Sequence, residues 1–84
     1  MKNGRNPYVW YNMGNLHLQM QEFNKAVDDY TKAIQYDPNL AEAYYNRALT
    51  LLYLDKKSPA VKDLSKAGEL GIQEAYVVLK RFTE

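Results

Sequence analysis

The 84-residue chain has no cysteine, one histidine, four glycines and three prolines. Without cysteine there can be no disulfide, thiolate metal site or cysteine nucleophile. The single imidazole, His17, excludes a histidine-rich metal centre. No cofactor-binding motif is present either, since neither GxGxxG nor GxxxxGK[ST] occurs to hold phosphates. Charge of one sign is lacking as well. Eleven Lys and Arg oppose ten Asp and Glu, for a net charge of +1, so nucleic acid and anionic membranes are not expected partners. Apolar runs are only a few residues long, which excludes a membrane-spanning helix. No signal-peptide core follows Met1, and the expected location is cytoplasmic.

What remains is a helix-forming chain. Hydrophobic residues make up 46% and charged residues 25%, as in folded proteins rather than disordered ones. Few breakers with many Ala, Leu, Lys and Gln favour helices over strands. Asn6-Pro7 reads as an N-cap and first helical position, opening a helix over about 7–20. Asn24 is the expected cap of a second helix, about 25–36, which Asp37-Pro38 ends. Asn39 with Glu42 reads as a capping box for a third helix, running to about Leu54. Ser58-Pro59 repeats the cap signature for a fourth, to about Leu70, where Gly71-Ile72 suits a Schellman ending. A fifth covers about 73–82, with Tyr76, Leu79 and Phe82 expected to point inward. The short connections make neighbouring helices antiparallel.

The chain also repeats itself. A shift of 34 residues pairs Tyr11 with Tyr45, Asn12 with Asn46, Leu18 with Leu52, Ala26 with Ala60, Val27 with Val61, Asp29 with Asp63, Lys32 with Lys66 and Ala33 with Ala67. Residue frequencies alone would give roughly two identities, so the unit is a repeated helical hairpin.

These residues resemble the tetratricopeptide repeat (TPR) family, whose pattern is W-x2-L-G-x2-Y, then A-x3-F, then P. The first unit offers Trp10, Met13, Gly14 and His17, then Ala26 and Tyr30, then Pro38; the second offers Tyr44, Arg47, Ala48, Leu51, Ala60 and Leu64. The second lacks the terminal Pro. The resemblance implies an all-α fold of five helices, in antiparallel hairpins stacked as a short right-handed α-solenoid. The expected division is a leader over residues 1–6 and one domain over 7–84. That domain comprises repeat one (7–40), repeat two (41–72) and a capping helix (73–83). Small residues such as Gly14, Ala26 and Ala48 are expected where helices cross, and Trp10, Met13, His17, Phe23, Val27, Tyr30 and Ile34 in the space around them.

No residue constellation reads as catalytic. His17 stands at an aromatic core position and is expected to be packed or hydrogen-bonded inside. Asp28-Asp29 diverge by about 100° on a helix and are expected on a solvated face. The cluster of Lys56, Lys57, Lys62 and Lys66 is interspersed with Asp55, Asp63 and Glu69 and reads as another solvated face. Arg47 stands where the family mostly has Leu; Asp28 or Asp29 of the preceding hairpin is a candidate partner.

Binding residues are implied by the family's concave groove, lined by the first helix of each hairpin. Carried over by position, the peptide-binding set is Tyr11, Asn15, Leu18, Tyr45, Leu49, Leu52 and Tyr53, flanked by Tyr8, Gln19 and Glu42. Spacing supports it independently, because 11, 15, 18 and 45, 49, 52 each follow one helix face. The implied partner is a protein or peptide. Family members that clamp chaperone C-termini use cations on the first and third of these helices. Tyr11, Glu74 and Val78 hold those positions here, so an acidic peptide is not the expected groove ligand. Asn15 and Asn46 keep the family's amides, which can meet a peptide backbone. A second stripe, Val9, Leu16 and Met20, would face a neighbour: either flanking repeats of a longer chain or another copy in a homo-oligomer. The expected function is a non-catalytic interaction scaffold, with self-association through this stripe as the alternative.

Overall fold

In the computed structural model, which describes residues 6–83, five helices and no strand occur among the described residues. They are α1 (Pro7–Gln19), α2 (Phe23–Tyr36), α3 (Ala41–Tyr53), α4 (Lys57–Glu69) and α5 (Gln73–Thr83). Most of the leader expected over residues 1–6 lies outside the described residues. No described helix is long and apolar enough to cross a membrane.

Local chemistry sets the ends. The Asn6 side chain accepts the Tyr8 N–H at 2.9 Å, and Pro7 takes the first helical position. Three helices end alike. The Glu22 N–H donates to the His17 carbonyl, Lys56 to Leu51 and Ile72 to Ala67, the long-range bond of a Schellman motif. The motif needs a left-handed residue, and Gln21, Asp55 and Gly71 supply it with φ of 61°, 59° and 114°. Only the glycine was legible as such.

Helix starts also differ from the expected caps. Asn24 is no cap: α2 begins at Phe23, capped by Glu22 without a side-chain bond. Nor does Asn39 cap α3, where Leu40 holds the position. Instead the Asp37 carboxylate accepts the Asn39 N–H at 3.0 Å, and Tyr44 Oη donates to the Pro38 carbonyl at 2.9 Å. In α4 the helix starts at Lys57, ahead of the expected Ser58 cap, and Pro59 lies within the first turn, where a missing N–H is tolerated.

The core sits between successive helices. Ala26 and Ala60, Ala33 and Ala67, and Tyr30 and Leu64, each pair 34 residues apart, are fully buried. Ala48, Leu51, Ala60, Leu64, Ala67 and Ala75 form the larger cluster, with Val27, Tyr45, Leu52, Val78 and Leu79 packed against it. Ala33, Leu40 and Ala43 form a smaller one, beside Trp10, Tyr11 and Ile34.

Three expectations about packing are corrected. Met13 is 41% exposed rather than core, because its face of α1 is shared with Val9, Leu16 and Met20. Tyr76 (50% exposed) and Phe82 are not core residues, although the Tyr76 ring lies over Gly68. The buried face of α5 is Ala75, Val78 and Leu79, the spacing of a helical stripe. Asp29 is buried, not on a solvated face.

Candidate functional site

Four of the expected groove residues meet in two adjoining cavities. Leu49, Leu52 and Tyr53 from α3 join Val78, Arg81 and Phe82 from α5 around about 390 Å³. Leu49 and Tyr53 also wall a second cavity of about 220 Å³, with Leu18, Gln19, Gln21 and Phe23. Leu49 and Tyr53 are one helical turn apart and point the same way, so they form the ridge between the two. Tyr53 is held there by stacking on Phe23, with ring centroids 5.0 Å apart and planes 9° off parallel. Even so, Tyr53 is 68% exposed.

Tyr11 and Asn15 are tied into a network across three helices. Tyr30 Oη donates to Asn15 Oδ1 at 2.5 Å. Asn46 Nδ2 donates to Asn15 Oδ1 at 3.0 Å and to Tyr11 Oη at 3.1 Å. Burial pushes the Tyr30 phenol well above its ordinary range, so it stays a donor. The amide nitrogen of Asn15 and the amide oxygen of Asn46 make no bond to a described residue. Neither atom is a buried orphan, so both are open to solvent. Tyr45 lines neither cavity; it packs on the larger core cluster.

The charged residues sort differently from expectation. Arg47 pairs with Asp63 of its own hairpin, not with Asp28 or Asp29. Its Nε donates to Oδ2 at 2.7 Å and its Nη2 to Oδ1 at 2.9 Å. Its Nη1 reaches Thr31 Oγ1 at 3.1 Å, joining the two hairpins. Hydrogen bonding to Asp63 raises the guanidinium above its ordinary pKa. Asp29, the counterpart of Asp63, takes His17 instead, with Nδ1 and Oδ2 2.5 Å apart. His17 is therefore a hydrogen-bonded structural residue, as its position in the pattern implied. Both imidazole and carboxylate are occupied in holding α1 to α2. Among the described residues no group of three or more His, Cys, Asp or Glu could hold a metal ion.

Sequence reasoning missed Arg81. It brings a cation to a groove otherwise read as having little positive charge. Its spacing of seven from Glu74 and three from Val78 was the available signal, since that places all three on one face of α5.

Two family models described as "Tetratricopeptide repeat" match the chain, one over residues 7–40 and one over 29–71, just over half of it. Curated proteins align with it too. The Protein STIP1 homolog of Dictyostelium discoideum is 36% identical over 69 residues, covering 82% of this chain. Photosystem I assembly protein Ycf3 of Acaryochloris marina is 32% identical over 71% of this chain. The human small glutamine-rich tetratricopeptide repeat-containing protein beta is 44% identical over 60%. The chain spans 12%, 36% and 16% of the lengths of these three relatives. Among solved structures, the first TPR of Spaghetti (RPAP3), bound to the HSP90 peptide SRMEEVD, superposes with a TM-score of 0.82 at 28% identity. The match covers 87% of this chain and 60% of that one.

Proposed function

Because the chain belongs to the tetratricopeptide repeat family, we propose that it is a non-catalytic interaction scaffold binding a peptide or protein segment along α1, α3 and α5. The observation that carries this reading is the pair of cavities divided by Leu49 and Tyr53, both of which the repeat pattern had assigned to the groove. Their walls are mostly apolar, so an apolar side chain of the ligand is the anchor. The free donor of Asn15 and the free acceptor of Asn46 suit one ligand peptide unit. The RPAP3 neighbour holds a peptide, which supports a peptide role for this fold. Its acidic ligand does not transfer directly, because Tyr11, Glu74 and Val78 stand where chaperone-clamping relatives carry cations. The division into repeats 7–40 and 41–72 with a helix over 73–83 is part of the same proposal.

Selection from a displayed peptide library is the direct test. Segments with a large apolar anchor are expected to bind at about micromolar affinity. Leu49→Ala and Tyr53→Ala are each expected to weaken the selected peptide by about 1–2 kcal/mol, read by titration calorimetry. Tyr53→Ala also loses the Phe23 stack, about 0.5–1.5 kcal/mol of fold stability, so circular dichroism accompanies it. Unchanged affinity in both variants sinks the groove assignment.

A second reading is favoured by α1 itself. Its thirteen residues contain no Asp, Glu, Lys or Arg, yet Leu16 is 54% and the following Met20 57% exposed. In a two-fold contact the same patch faces itself, so an uncharged helix avoids like-charge repulsion. Val9, Leu16 and Met20 are the proposed self-association residues. Light scattering is expected to show a concentration-dependent dimer that Leu16→Lys with Met20→Lys abolishes while helicity is retained. A monomer at high micromolar concentration removes this reading and leaves the stripe to a flanking segment.

A further inference from the structure

A second cleft, which shares only Arg81 and Phe82 with the groove-side cavity, lies between the start of α4 and the end of α5. It is an open depression of about 710 Å³, lined by Lys57, Ser58, Val61, Lys62, Arg81 and Phe82. Three of these six residues are cations and none is an acid. In the sequence the lysines looked diluted by neighbouring acids, but the fold changes that balance in two ways. The Asp63 carboxylate is taken up by Arg47 on both of its oxygens, so its charge no longer offsets the lysines. Arg81, from a separate helix, adds a charge that lay 19 residues beyond Lys62 in the chain. Among the described residues none of Lys57, Lys62 and Arg81 makes an ion pair. Three like charges around one cleft repel each other, and a partner bringing carboxylates relieves that repulsion.

The cleft is not simply basic. Val61 and Phe82 supply an apolar part, and Phe82 is 39% exposed. That mixture separates two kinds of anionic partner. A nucleic-acid surface needs a run of cations along a phosphate backbone, with a basic domain behind it. Here three cations surround an apolar patch on a chain of net charge +1. We propose that this cleft is a second docking surface, for an acidic protein segment carrying an aromatic or large aliphatic side chain next to its carboxylates. The carboxylates would meet Lys57, Lys62 and Arg81, and the apolar side chain would lie on Val61 and Phe82. This goes beyond the groove reading and stands without it.

The probe is a fluorescein-labelled, end-blocked Glu-Glu-Phe-Glu-Glu peptide, followed by anisotropy in low salt. It is expected to bind, with affinity falling several-fold when salt is raised to about 0.5 M. Lys57→Glu with Lys62→Glu should weaken it by about tenfold or more, and replacing the peptide's Phe by Ala should weaken it several-fold. Should that reversal disturb the helices, the triple change Lys57→Gln, Lys62→Gln and Arg81→Gln must still lower affinity. Leu49→Ala, which changes the groove away from the shared Arg81 and Phe82, is expected to leave this peptide within about twofold, so failure here is distinguishable from failure of the groove. Equal binding by the charge variants, or by the Phe and Ala peptides, overturns the proposal. So does an oligothymidylate of similar charge that binds as tightly, which would make the cleft a general anion patch.

Discussion

Asp63→Ala is expected to destabilise the fold by about 2–4 kcal/mol, the largest effect of any single polar substitution here. The carboxylate is 9% exposed and receives two hydrogen bonds from Arg47, whose side chain is only 20% exposed. Removing it leaves a guanidinium half-withdrawn from water with Thr31 as its remaining hydrogen-bond partner and the Tyr44 ring 5.8 Å away. The flexible stem lets part of that charge reach solvent, which places the cost below that of a fully buried pair. A domain of this size has about 4–12 kcal/mol of stability in total, so the single variant should lose much of its melting cooperativity margin. Arg47→Leu combined with Asp63→Ala is expected to recover most of the loss, because Leu fits the family pattern and no charge is then stranded. Urea denaturation of the two single variants and the double one measures the coupling. A coupling under about 0.5 kcal/mol would show that the pair is incidental to stability.

Two glycines in similar surroundings should respond in opposite ways. A Cβ on Gly14 would lie 2.6 Å from Cε1 of Tyr30, and one on Gly68 would lie 2.5 Å from Cζ of Tyr76. The distances match, but the rings do not. Tyr30 is fully buried and hydrogen-bonded to Asn15, so its ring has nowhere to go. Tyr76 is 50% exposed and can swing outward. Alanine gains about 1 kcal/mol over glycine in a helix interior. At position 14, where the ring cannot move aside, overpacking falls in the upper part of about 1–3 kcal/mol and exceeds that gain. Gly14→Ala should therefore lower stability by about 1–2 kcal/mol and Gly14→Leu by more, whereas Gly68→Ala should be neutral or slightly stabilising. Thermal melts of the alanine pair decide it: a Gly14→Ala variant as stable as the parent would mean that the α1–α2 crossing is looser than the ring contact implies.

The fold was legible because the 34-residue identities fall on residues that packing constrains most. Ala26, Ala33, Ala60 and Ala67 are all fully buried, and small residues at helix crossings leave little freedom for substitution. Helix starts were less legible. Asn24, Asn39 and Ser58 are all good capping residues, but a cap contributes only about 1 kcal/mol. The turns at Gln21 and Asp55 deliver the chain into α2 and α4 earlier, and tertiary packing overrides the local preference. Asp29 and Asp63 carried a readable signal. An acid repeated at the same place in both hairpins suits a structural role better than a solvated face, and both are buried with a cationic or imidazole partner. At the candidate site, the pattern located Leu49 and Tyr53 because the family's helix register fixes them. Arg81 escaped because the positions carried over from the family stop at Val78.

The molecule is a slab of 46 × 25 × 16 Å in which each helix rests mainly on its sequence neighbours, and α5 rests mainly on α4. In a stack of this kind an end helix is expected to fray ahead of global unfolding and to exchange its amide hydrogens first. That layer carries Val78, Arg81 and Phe82, half of the walls of the groove-side cavity, and two of the six residues of the basic cleft. Ligand occupancy and the fraying of α5 are therefore one equilibrium seen from two sides. Anything held at either place slows deuterium uptake along α5, and anything that loosens α5 releases both.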